Sequence, residues 1–149
     1  ASQFSDLYLR VDGIDLHRIA LELAFGRDPA RLPRALPSAG VAASFVYRSF
    51  DPAARPTMPS QARQEELARR FPDAMLFCFP KSAGQIARDF KWLSSYRHGI
   101  LHLGGADVAD LAERCAEASA LLGWPSPCTG HDAAPSAAHL PRLSLETTR

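Results

Sequence analysis

From Leu16 the apolar residues Leu16, Ile19, Ala20, Leu23 and Ala24 recur every three or four positions, the period of one helical face. Asp15 can cap the start and Gly26 can end it, so the pattern predicts an amphipathic helix. After Pro33 and Pro37 the pattern changes. Val41 to Arg48 contains Ser44-Phe45-Val46-Tyr47, rich in β-favouring side chains and bounded by Gly40 and Asp51-Pro52, which predicts a strand. Ser60 to Phe71 is polar on most faces but carries Ala62, Leu67, Ala68 and Phe71, a surface helix started by Pro59-Ser60 and stopped by Pro72. Ala74 to Phe79 is a continuous apolar run between prolines, too short for an independent helix, and reads as a buried strand.

Ser82 can cap a helix that carries Ile86, Phe90 and Leu93 along one side. His98 to Leu103 reads as a short strand or, because Gly104-Gly105 follows, as a loop or helix entrance. The clearest element is a helix from Ala106 to Leu122, with Val108, Leu111, Ala112, Cys115, Ala118, Ser119 and Leu122 on one face and Gly123 as its stop. The sum is an α+β chain with two or three strands among four or so helices. Its two best strands are separated by a helical segment and need not form a hairpin. A small β-sheet flanked by helices is the compact solution.

The 149 residues suit a single domain spanning 1–149. Twelve prolines cluster at 29–37, 52–59 and 125–141, which marks loops and an irregular tail at 125–149. An apolar fraction of 46% with 22% charged residues is that of an ordinary globular protein. A formal charge of +1 gives no field to attract nucleic acid or an anionic membrane. No apolar run reaches the ~18 residues of a membrane helix and no signal-peptide pattern is present, so the expected location is cytoplasmic, with no membrane partner.

Three cysteines at irregular spacing argue against a disulfide framework. Cys78 and Cys115 read as small buried hydrophobes. Cys128-Thr129-Gly130-His131 could offer a thiolate and an imidazole to one metal, but lacks a second ligand pair and reads as a loop. His98 and His102 are likewise two ligands where a metal needs more, so no metal is expected. Arg63, Arg69 and Arg70 interleave with Glu65 and Glu66 as a solvated face. Gly104-Gly105 opens a helix whose first turn already holds Asp107 and Asp110 as dipole partners. Phe45, Phe50, Phe71 and Trp124 are aromatics that either close the core or anchor an interface.

Several stretches carry a resemblance. Lys91-Trp92 and Tyr96-Arg97 precede the long helix that ends Leu121-Leu122-Gly123-Trp124, while Leu23-Ala24-Phe25-Gly26-Arg27 is followed by Arg34-Ala35-Leu36-Pro37-Ser38-Ala39-Gly40. Together they resemble nitroreductase-fold flavoproteins, especially the branch that oxidises azoline rings during thiazole and oxazole peptide maturation. The resemblance implies a nitroreductase-like fold and an FMN-dependent oxidoreductase acting on a small-molecule or peptide substrate, by azoline-type dehydrogenation or a related hydride transfer. It puts Arg34, the Pro37, Ser38, Ala39 and Gly40 turn, and Arg97 at the cofactor, with Lys91 and Tyr96 as catalytic candidates. It also implies a homodimer, or pairing with a longer homologous chain.

The departures define the alternative. Trp92 stands where that branch has tyrosine, Asp107-Val108-Ala109-Asp110 replaces a Gly-His entrance, and no Arg-Arg-Ser-x-Arg phosphate grip precedes the first predicted helix. These changes imply a cofactor-free, degenerate nitroreductase-like partner or peptide-binding subunit. A third reading makes the chain part of a longer protein that carries the missing motifs elsewhere.

Overall fold

The structure, a computed structural model, describes residues 4–128. Among them are five α-helices and three strands: α1 (Ser5–Asp12), α2 (Leu16–Ala24), β1 (Val41–Ser49), α3 (Gln61–Arg70), β2 (Met75–Cys78), α4 (Ala83–Leu93), β3 (Tyr96–Gly105) and α5 (Val108–Leu122). A 3-10 turn at Pro29–Arg31 lies between α2 and β1. The fold class is α+β. The sheet order is β1-β3-β2 with both pairs antiparallel. β1 and β2 form no hairpin with each other because β3, late in sequence, inserts between them.

Local chemistry sets the helix ends. The Asp15 carboxylate accepts from the backbone N–H groups of His17 and Arg18, and Asp107 accepts from Asp110 at 2.9 Å. Ser82 and Gln85 form a reciprocal capping box at α4. Gly123 takes the left-handed conformation (φ 72°) that closes α5.

The core lies between one sheet face and helices α3 and α5. Leu101, Leu103 and Tyr47 meet Leu67 and Phe71 from α3, and Leu111, Cys115, Ala118 and Leu122 from α5. Trp124 covers the end of this layer, its indole Nε1 donating to the Thr57 carbonyl at 2.9 Å. Its ring rests on Gly99, where a Cβ would collide with Cζ3 and Cη2. The Tyr47 hydroxyl and Ser119 Oγ lie 2.8 Å apart, and Ser119 Oγ donates to the Cys115 carbonyl at 2.6 Å, so this buried polar pair is satisfied.

Several expectations change in detail. β3 is the longest strand and its entire stretch from His98 to Gly105 is buried, where a short strand from His98 to Leu103 was expected, with a loop or helix entrance as the alternative. α5 starts at Val108, not Ala106, and Val108 is 73% exposed, so the buried face begins at Leu111. Phe71 and Trp124 close the core and are not available as interface anchors, whereas Phe50 is 76% exposed. α1 was not expected. It inverts the usual pattern, burying Ser5 and Arg10 while exposing Phe4, Tyr8 and Leu9.

Replacing Gly99 by alanine forces the Trp124 ring off the sheet, a misfit of the overpacking kind that costs about 1–3 kcal/mol. Urea unfolding followed by tryptophan fluorescence should show this loss.

Candidate functional site

The Pro37 to Gly40 turn is pinned to the end of the sheet. Ser38 and Ala39 donate their backbone N–H groups to the Arg10 carbonyl at 2.8 and 3.2 Å, and Gly40 donates to the Gly105 carbonyl at 2.9 Å. Close approach requires the small residues. A Cβ on Gly40 would collide with the Ala106 carbonyl, and one on Gly104 would stand 2.8 Å from the Ala39 Cβ. Ser38, Ala39 and Gly40 thus share a cleft of about 620 Å³ with Gly104, Gly105 and Ala106.

Charged side chains form the remaining wall. Asp73, Asp110 and Arg114 line the cleft. The buried Arg10 guanidinium binds Asp6 Oδ2 through Nε at 2.7 Å and Asp73 Oδ2 through Nη1 at 3.2 Å. Arg114 Nη2 reaches Asp73 Oδ1 at 2.6 Å, and the Gly104 N–H points to Asp73 Oδ2 at 3.3 Å. Asp110 Oδ2 accepts from the Ala106 N–H at 2.7 Å. Both arginines are therefore matched by carboxylates, and Asp110 leaves the rim acidic. The turn has also committed its three N–H groups inside the fold. This chain's side of the cleft therefore offers a flavin phosphate no cation free of a carboxylate and the ring no amide of this turn, although Arg114 Nε is buried without a hydrogen-bond partner among the described residues.

The other candidates lie apart. Arg34 lines a second cleft, of about 250 Å³, beside Arg18. Lys91 is exposed near the end of α4 with its ammonium 5.2 Å from the centre of the Trp92 ring, itself 73% exposed. Tyr96 is 2% exposed and its hydroxyl donates to the Ala54 carbonyl at 2.6 Å, which leaves no hydroxyl proton for a substrate. The Arg97 guanidinium stacks 4.5 Å from the centre of the Phe79 ring. The structure brings Ser38, Ala39 and Gly40 together and leaves Arg34, Lys91, Tyr96 and Arg97 in different surroundings.

Sequence reasoning missed Asp6, Arg10, Asp73 and Arg114. The i,i+4 spacing of Asp6 and Arg10 was the available signal for the first pair. The histidines are strand residues, not helical ligands. His102 Nδ1 lies 3.3 Å from Asp6 Oδ2. His98 has no partner on β1, since Tyr47 stands opposite Gly99 and Arg48 opposite Arg97, the two-against-one arrangement of a β-bulge. Its ring meets Trp124 edge-on at 5.1 Å, with Tyr47 and Tyr96 around it and both ring nitrogens buried without a partner among the described residues. Burial lowers the pKa of both imidazoles, opposed at His102 by the Asp6 carboxylate.

Burial, with Cys128 alongside, pushes the Cys115 thiol up to about 12, so it is no nucleophile near neutral pH. No cluster of three His, Cys, Asp or Glu suited to a metal occurs among the described residues. The His131 half of the cysteine–histidine motif lies outside them. No described helix is long and apolar enough to cross a membrane.

Comparison with protein-family models, curated proteins and solved structures returns no match.

His98 carries a pH prediction. Its folded pKa lies below its unfolded value, so its contribution to stability is complete above about pH 6.5 and is lost as pH falls towards the folded value. The urea midpoint should drop between about pH 7.5 and about pH 5.5, and His98→Phe should drop less.

Proposed function

We propose that this chain is a cofactor-free, nitroreductase-like docking subunit that binds a peptidic substrate and works pressed against a second chain. A second copy is the simplest partner, and a longer homologous chain is the other. The surface of α2 is the observation that carries this reading. This helix has clear helical periodicity in its apolar residues, yet none of its residues is buried. Leu21 is 57% exposed, Leu23 60% and Phe25, its C-cap, 68%. Phe4, which caps α1, and Tyr8 within it are also exposed, at 55% and 47%. Each such side chain is worth roughly 1.5–3 kcal/mol on full burial. A surface of this kind supports a protein partner.

The resemblance keeps a second reading, the FMN-dependent oxidoreductase. The cleft beside the Ser38–Gly40 turn supports it, because one of its walls is made of small residues that admit a planar ring and a second chain could supply the missing cation.

Titration of FMN into the assembled full chain, followed by calorimetry and visible absorbance, separates the two. The docking subunit should give no heat and no flavin spectrum. A saturable heat with bound-flavin absorbance would establish the second reading, and Ser38→Trp, which fills the cleft, should then abolish it.

A further inference from the structure

From the cleft that holds Arg34 we infer a second ligand site: it binds the carboxylate of a small apolar acid, about the size of one amino-acid residue, between Arg18 and Arg34. The inference deepens the peptide-binding reading and rests on it. The cleft is built by the chain folding back on itself. Gly13 has a left-handed φ of 66°, and a Cβ there would collide with the Ala35 carbonyl oxygen, so only glycine lets the two segments touch. Ala35 donates its N–H to the Gly13 carbonyl at 3.0 Å. Pro29 and Pro33, with Asp28 capping the 3-10 turn, stiffen the wall between. A wall fixed before binding costs little ordering on binding.

Chemistry follows from the lining. Ile14, Ile19, Leu32 and the prolines supply apolar walls, and the volume of about 250 Å³ falls below that of a drug-sized pocket. Arg18 and Arg34 are the lining cations, and neither forms an ion pair among the described residues. Asp15 is the lining anion, its carboxylate accepting from the backbone N–H groups of His17 and Arg18. Two positive charges against one negative leave a single positive charge, which suits a monoanion better than a phosphate dianion. Guanidinium groups match the planar carboxylate with paired N–H donors. The source of that carboxylate is a peptide C-terminus or a free acid.

The test is a calorimetric titration of the full chain with N-acetyl-leucine and with N-acetyl-leucinamide, whose neutral amide replaces the carboxylate. The acid should bind about tenfold more tightly than the amide, and Arg18→Ala and Arg34→Ala should each weaken it, with circular dichroism unchanged. A leucine-ended tripeptide with a free C-terminus that binds as well as the acid assigns the site to peptide ends. A tripeptide that does not bind, with the acid still bound, assigns it to free acids. Equal affinity for acid and amide, no heat with the acid, or unchanged binding in the Arg18→Ala, Arg34→Ala double variant overturns the inference. Flavin binding is read separately by its absorbance. Displacement of N-acetyl-leucine by FMN would place the flavin phosphate at Arg34 and overturn both readings at once.

Discussion

Burial of β3 on both faces is the constraint on which the rest of the molecule depends. Leu101 and Leu103 point into the layer shared with α3 and α5, while Ile100 is fully buried and His102 is 1% exposed on the other side. A strand covered on both sides needs two layers of helix in a chain this short. α5 covers the first side with its apolar face. α1 covers the second beside His102 and places Asp6 Oδ2 3.3 Å from its Nδ1.

The charged network follows from that choice. Once α1 is against the sheet, Arg10 is buried with it, and Asp6 and Asp73 must neutralise it. Removing one partner from such a pair leaves an unmatched buried charge, which costs far more than the pair contributes. The network therefore fixes position more than it adds stability. Arg10 also accepts the Ser38 and Ala39 N–H groups at its carbonyl, so the turn, the cleft beside it and the strand end are held by the same residue. Phe4, Tyr8 and Leu9 are then left exposed at and beside α1, which itself packs against α2.

What was legible in the sequence follows the same division. α5, α3, α4 and β1 were readable because an apolar face meets the core in the ordinary way, with Ser60 and Ser82 marking two of the helix starts. β2 was readable as a strand but is not the buried one expected, since at the sheet edge its Met75 and Phe77 are 40% and 37% exposed. β3 was ambiguous because a strand buried on both sides loses the alternation that identifies strands, and its glycines imitate a loop. α1 was invisible because it buries an arginine and a serine and shows its aromatics to solvent. At the candidate site, the small residues of the Pro37 to Gly40 turn were visible as turn chemistry. Their true contacts, across about thirty residues to Arg10 and about sixty-five to Gly104 and Gly105, are ones that no local pattern encodes.

The inner layer of the chain is therefore closed, while α1 and α2 leave apolar side chains in water. A chain of this length has a modest core, and the proposed association would cover apolar surface that folding leaves in water. Light scattering on the full chain at micromolar concentration, alongside a variant with Leu23→Asp and Phe25→Asp, measures this directly. The account predicts about twice the chain mass for the unmutated protein and a single-chain mass for the variant. A single-chain mass for both, with the exposed α2 side chains remaining in water, would contradict it.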